Sequence, residues 1–248
     1  MGDPGHDRPI LVLQHIGCEP PAAYGDELRS RGIRAHTVSP HEGEPLPDWR
    51  AYGGVIAMGG PMGTYEDHLH PWLTQEKRLI AQAVLDGRPF WGVCLGAQLL
   101  AASLGAHVGP GPGPEVGVLP VHLTPQAAAD PVFAVAPETF QAFQMHGDTY
   151  ELPPGAIPLA RSELYEQQAF VFRRAYGVQF HIEVGADLVA EWGAVPAYAS
   201  SLTALEREDP LGELLAAVAR VQDASNLLAR SLFSRWLERV AGFPADGS

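Results

Sequence analysis

Short apolar runs separated by amphipathic stretches organise the first hundred residues. Ile10-Leu11-Val12-Leu13 is apolar at four successive positions, the pattern of a strand buried on both faces. Residues 22–31 then read as a helix closed by Gly32, and residues 33–38 as the next strand. After a polar, proline-containing loop over 41–48, Gly54-Val55-Ile56-Ala57-Met58 is another buried run, ending in the turn Gly59-Gly60-Pro61-Met62-Gly63. Residues 72–85 place Leu73, Leu79, Ile80, Ala83 and Val84 at helical spacing, with Gly87 as the stop. Residues 89–93 form a further buried run, Cys94 falls at a turn flanked by Gly92 and Gly96, and Leu99 to Leu104 reads as a helix. Strands alternating with helices predict an α/β fold with a mainly parallel sheet and helices on both faces.

The pattern changes after Gly105. Residues 115–123, 140–145, 157–160, 169–173 and 177–180 read as strands with little helix between them, so the second half is β-rich. Gly109 to Pro114, three Gly-Pro pairs, is expected to be a turn. From about residue 186 the chain becomes helical. Asp209-Pro210 supplies an N-cap and first-turn proline, and Leu211, Leu214, Leu215, Val218 and Val221 follow on one face, continued by Leu228, Leu232, Trp236 and Leu237. This is the stripe of a helix that covers a core. The organisation expected is a loose polar tail over residues 1–8 and one domain over 9–248, with a core at about 10–185 and a helical extension at about 186–248.

Composition narrows the functional classes. Sixteen Lys and Arg against 29 Asp and Glu give a formal charge of -13, which repels phosphate backbones and argues against nucleic-acid binding. No apolar run approaches the roughly 18–20 residues that span a bilayer, so no membrane partner is expected. Two distant cysteines, Cys18 and Cys94, and no signal-peptide pattern fit a reducing cytoplasm. No cofactor or metal site is implied.

Candidate chemistry centres on Cys94. A strand-turn-helix elbow holds a side chain above the sheet edge, with the amides of the helix start aimed at whatever that side chain attacks. A free thiol, with a pKa of about 8.5, needs a base to become a nucleophile. His181 ends the run Tyr176 to Phe180, at another strand's carboxyl end, and Glu183 two residues on can fix its tautomer. Each feature alone has a plainer reading: a buried small cysteine, a strand-end histidine, a chance His-x-Glu pair. Together they outline a Cys-His-Glu triad, and the amides of Leu95 and Gly60 are candidate oxyanion donors.

Four segments, Gly59-Gly60-Pro61-Met62-Gly63, Gly92-Val93-Cys94-Leu95-Gly96-Ala97-Gln98, Met145-His146-Gly147-Asp148 and Gly177-Val178-Gln179-Phe180-His181-Ile182-Glu183, resemble in order and spacing the class I glutamine amidotransferases. The likeness is greatest to stand-alone proteins similar to the glutaminase domain of GMP synthase. It implies a flavodoxin-like open sheet. It further implies that Cys94 forms a γ-glutamyl thioester from glutamine, releasing ammonia, with His181 as acid and base and Glu183 orienting it. Gly60 and Leu95 would then form the oxyanion hole, and Gly59, Gln98, His146, Gly147 and Asp148 would bind substrate. Ile182 stands where the family commonly has proline. The chain has no ATP-binding P-loop or adenylating motif, so the resemblance leaves the ammonia acceptor open and implies a separate ATP-dependent synthetase as partner. The same triad also suits a γ-glutamyl peptidase, distinguished by the width of the pocket. A non-catalytic regulatory subunit is disfavoured because triad and glycine donors are all present.

Overall fold

The structure is a computed structural model that describes residues 8–245. Residues 1–7 of the expected tail lie outside the described part. Strands β1 (Ile10–Leu13), β2 (Ala35–Val38), β3 (Gly54–Ala57) and β4 (Phe90–Val93) alternate with helices α1 (Ala22–Ser30), α2 (Trp72–Leu85) and α3 (Leu95–Ser103). Five more strands follow: β5 (Val108–Leu123), β6 (Thr139–Tyr150), β7 (Ile157–Arg161), β8 (Ala169–Phe172) and β9 (Ala175–Val178). Helices α4 (Ala186–Trp192), α5 (Pro196–Thr203) and α6 (Pro210–Arg235) close the chain, α6 passing into a π-helical turn over Trp236–Ala241.

Among the described residues, all nine strands form one sheet in the order β2-β1-β3-β4-β9-β8-β7-β5-β6. From β2 to β9 the pairing is parallel, and from β9 to β6 it is antiparallel. The β-rich half is thus a continuation of the parallel sheet. Because β1, β3, β4 and β9 run the same way, their carboxyl ends share one edge, where open α/β sheets hold their sites.

The buried runs serve both faces at once. Ile10 and Val12 pack with Tyr24 and Leu28 of α1 and Phe233 of α6, whereas Leu11 and Leu13 pack with Leu73 and Ile80 of α2 and Leu99 of α3. This is the period of two expected of a strand. Trp91, fully buried on β4, is surrounded by the rings of Tyr24, Tyr176, Phe233 and Trp236. A third apolar cluster joins Phe143 and Met145 of β6 to Trp192, Tyr198 and Leu214 of the helical extension. The predicted start of α6 is present: the Asp209 carboxylate accepts from the Gly212 amide at 3.0 Å, with Pro210 in the first turn.

Two expectations are corrected. The Gly-Pro run is an irregular part of β5, not a turn. Pairing with β6 holds at Gly109 and Pro110, breaks, and resumes at Glu115 opposite His146. Prolines lack the N–H that a ladder needs, so the strand bulges there. The β9 strand ends at Val178, and His181 is instead held by a single antiparallel bridge to Phe143, with reciprocal backbone bonds of 2.8 and 3.0 Å.

Candidate active site

Cys94 follows β4 directly, with φ 51° and ψ -109°, a left-handed backbone rare for a side chain that is not glycine. The surroundings enforce it. The Cys94 amide is bonded to Val178 O at 2.8 Å, and its carbonyl accepts from Ala97 and Gln98 in the first turn of α3. Two glycines permit the close fit: a Cβ on Gly96 would overlap the Ala57 carbonyl oxygen, and one on Gly92 would press on the Gly96 backbone. Strain of this kind, of order 1–3 kcal/mol, persists only where neighbours over-determine the backbone.

The parallel topology brings the segment after β9 beside this elbow. His181 and Glu183 are both about 1% exposed, with Nδ1 of the ring 2.7 Å from Glu183 Oε1. Glu183 Oε2 accepts from the Ile182 amide at 3.0 Å. Asn226 of α6, its amide turned to donate, reaches the carbonyls of Ile182 and Glu183 at 3.0 and 3.2 Å, so the helical extension supports the pair. His181 Nε2 is buried and free of full hydrogen-bond geometry to a protein group. Burial disfavours charge on the ring, but the Glu183 carboxylate, with contact and charge from the neighbouring Cys94, holds its pKa well above the ordinary histidine value.

Gln179 Nε2 donates to Cys94 Sγ at 3.5 Å and is itself oriented by Gln98 Nε2, which donates to Gln179 Oε1 at 3.0 Å. Gln98 therefore acts on the thiol through Gln179 as well as lining the cleft. At the start of α3 the Gly96 amide is taken by Met58 O at 3.1 Å, and those of Ala97 and Gln98 by Cys94 O. Among the described residues, the amides of Leu95 and Gly60 have no such backbone acceptor.

The cleft over Cys94 encloses about 230 Å³, and Gly60, Met62, Tyr65, Gln98, His146 and Tyr198 are among its walls. His146, Gly147 and Asp148, on β6, contribute one wall as expected. His146 is held from behind by Glu115, 3.2 Å from its Nε2, and Glu115 also accepts from Ser162 and Gln168 at 2.6 and 2.7 Å. Tyr65, beside Asp148, has its phenol pushed up to about 12 by burial and then by that carboxylate. Gly59 is set back from the cleft, beneath the carboxylate of Glu19, which leaves no room for a Cβ. A larger groove of about 600 Å³ between α6 and the start of β6 holds no histidine, cysteine or carboxylate. Among the described residues no three His, Cys, Asp or Glu side chains are grouped to hold a metal, and no helix is long and apolar enough to cross a membrane.

Several neighbours of the site carry no sequence signal. Glu19, after β1, is buried, bonded through Oε1 to the Tyr198 hydroxyl, with its other oxygen unpartnered. Burial raises its pKa, against the opposing pull of His181 and Tyr198. Tyr198 stacks on Trp192, which meets the edge of His181. Only Gln179, a polar residue inside an apolar run, could have been suspected from the sequence.

The family model described as glutamine amidotransferase class-I matches residues 24–188. The chain is 36% identical to GMP synthase [glutamine-hydrolyzing] of Thermomicrobium roseum over 146 residues, covering 55% of this chain and 25% of that protein. It thus spans about a quarter of the length of that relative. It is 31% identical to the glutamine amidotransferase-like protein YfeJ of Salmonella typhimurium, covering 73% of this chain and 77% of that one. Among solved structures, a glutamine amidotransferase from Thermotoga maritima superposes with TM-score 0.84 at 35% identity, over 94% of this chain and 99% of that one. One from Methylobacillus flagellatus gives TM-score 0.84 at 30% identity, over 97% of each chain.

Proposed function

This chain belongs to the class I glutamine amidotransferases, and from that premise we propose that it hydrolyses the side-chain amide of glutamine through a γ-glutamyl thioester on Cys94. The observation that carries the reading is a strained cysteine elbow beside a buried His181–Glu183 pair, with two uncommitted backbone amides at the same sheet edge.

Cys94 Sγ attacks the γ-carbonyl carbon, and the negative charge that develops on oxygen is met by the N–H groups of Gly60 and Leu95. His181, its pKa held well above the ordinary histidine value, takes the Cys94 thiol proton as sulfur attacks and gives it to the departing amine. The C–N bond breaks, ammonia leaves, and the acyl group stays on sulfur. Water then attacks the thioester with His181 as base, giving glutamate and free thiol. Glu183 keeps the Nδ1 proton in place throughout and balances the imidazolium. Gln98, His146, Gly147 and Asp148 hold the amino-acid end of the substrate, Gly59 lets the turn before Gly60 pack closely, and Asp148 offers a carboxylate to the α-ammonium group.

The compact γ-glutamyl group of glutamine suits a cleft of about 230 Å³ whose walls include Ala197, Tyr198 and Ser201 of α5. The ammonia goes to a separate ATP-dependent synthetase, by analogy with the glutamine-hydrolysing GMP synthase subunits among the relatives. Free thiols at Cys18 and Cys94 suit a reducing cytoplasm.

Glutamate release from glutamine and from γ-glutamyl dipeptides, compared between the full chain and Cys94→Ala, tests the reading. Turnover of glutamine that Cys94→Ala abolishes supports it. Turnover of peptides alone would make the protein a peptidase, and turnover of neither would defeat both assignments.

A further inference from the structure

Behind the Gly59–Gly60 turn lies a buried pair that the chemistry above does not use. His15 follows β1, is fully buried, and stacks on Trp72 with ring centroids 5.5 Å apart. Its Nδ1 is 2.8 Å from Met58 O and 3.2 Å from Gly59 O, and its Nε2 is 2.8 Å from Glu76 Oε1 on α2. Carbonyl oxygens only accept, so Nδ1 carries a hydrogen. The contact with Glu76 needs a second one, on the ring or on the carboxyl. Burial opposes charge on the ring, but Glu76 and then the two carbonyls raise its pKa, which favours the second hydrogen on Nε2. The other Glu76 oxygen is buried with no protein partner, so the bond to His15 is what anchors this carboxyl group.

Peptide geometry carries this contact to the cleft. Among the described residues no peptide is cis, and in a trans peptide C=O and N–H point opposite ways. With Gly59 O drawn to His15, the Gly60 N–H faces away from His15, and Gly60 lines the cleft together with Cys94. A hydrogen bond to a peptide carbonyl also polarises that peptide, so its N–H becomes a better donor. Met58 O accepts from the Gly96 amide as well as from His15, next to the other proposed donor, Leu95. One carbonyl thus ties the glycine turn and the start of α3 to a single ring.

We propose that His15 and Glu76 are a positioning pair for the oxyanion hole: the buried ring, held by Glu76, aims and polarises the Gly59–Gly60 peptide so that the Gly60 N–H meets the negative oxygen of the tetrahedral intermediate. This rests on the glutaminase reading. It assigns the pair a function that packing alone would not have, because its effect falls only on steps that build charge on a carbonyl oxygen.

The test compares two reactions of one thiol in the full chain: glutamine hydrolysis, which passes through an oxyanion, and alkylation by iodoacetamide, which displaces iodide from saturated carbon and does not. His15→Gln keeps a donor but no charge, and lowers kcat about 10- to 100-fold, by misplacing one oxyanion donor, with KM and the alkylation rate within about threefold of wild type. Glu76→Gln leaves Nδ1–H on the carbonyls and removes the ring's charge, so it gives a smaller fall, about three- to tenfold. It also serves if His15→Gln does not fold. Unchanged kcat in both variants, or alkylation falling in parallel with turnover, overturns the proposal. Nitrogen-15 NMR of the wild-type imidazoles at neutral pH separates this proposal from the reading beneath it. His15 should show two protonated ring nitrogens, and a neutral His15 ring overturns the proposal whatever the turnover. A wild-type chain that releases glutamate from no γ-glutamyl substrate overturns the glutaminase reading and the oxyanion role with it.

Discussion

Replacing Glu183 by glutamine isolates what the carboxylate does for His181. The side chain keeps its size, so the buried site keeps its packing, but the charge 2.7 Å from Nδ1 is gone. For two unit charges about 4 Å apart at an effective dielectric near 20, the interaction is about 4 kcal/mol. At 1.36 kcal/mol per decade that is roughly a thousandfold in rate, if the whole attraction is felt when the ring is charged. Tautomer adds to this: if the amide nitrogen turns toward Nδ1, the ring proton moves to Nε2, which then cannot take a proton from the thiol. We therefore expect Glu183→Gln to lower kcat for glutamine hydrolysis by about 10³ or more, with KM changed little because Glu183 is absent from the walls of the cleft. Steady-state glutamate release measures both, and circular dichroism establishes that the variant is folded. A folded Glu183→Gln within tenfold of wild-type kcat would refute the claim that His181 works as a carboxylate-supported acid and base.

Other consequences follow from the packing and the buried charges. Gly96→Ala should cost at least the 1–3 kcal/mol typical of overpacking, read as a lower thermal midpoint, and should also abolish turnover, because its Cβ drives α3 off the Ala57 carbonyl. Trp91→Ala, at the centre of four rings, should destabilise by about 3–5 kcal/mol in a denaturant titration, while Cys94 in the surviving folded fraction stays reactive. The raised pKa values of His15 and His181 predict stability that is full below the unfolded histidine value and declines as pH rises through the higher folded values. Glu19 acts in the same direction, since its raised pKa makes the folded state hold a proton that the unfolded state releases. Thermal midpoints should therefore fall from mildly acidic to alkaline pH, and less steeply in His15→Gln.

How much of this was readable beforehand depended on the range of the interactions. Strands β1, β3 and β4 were legible because each is a short apolar run buried on both faces, whereas β9 was read two residues too far along because the apolar run continues through Phe180 after the ladder ends at Val178. The elbow was legible because Gly92 and Gly96 flank Cys94 within five residues, and the His181–Glu183 hydrogen bond because the two residues are two apart. The bulged β5 was not, because prolines that read as a turn are also tolerated where a strand leaves its ladder. Glu19, Tyr198 and the His15–Glu76 pair were invisible for a different reason. Each is one polar residue whose meaning lies in a contact with a distant element, and no local period or spacing marks it. The C-terminal helices read correctly as amphipathic cover, but their contact with Cys94's cleft through α5 depends on where they dock.

Whether Cys94 takes up the γ-glutamyl group is read by mass spectrometry of the full chain after exposure to a glutamine analogue carrying an electrophile at the γ position. One adduct is expected, on the peptide that contains Cys94, prevented by excess glutamine and absent from Cys94→Ala. An adduct on Cys18, or none on a folded protein, would contradict thioester formation at Cys94.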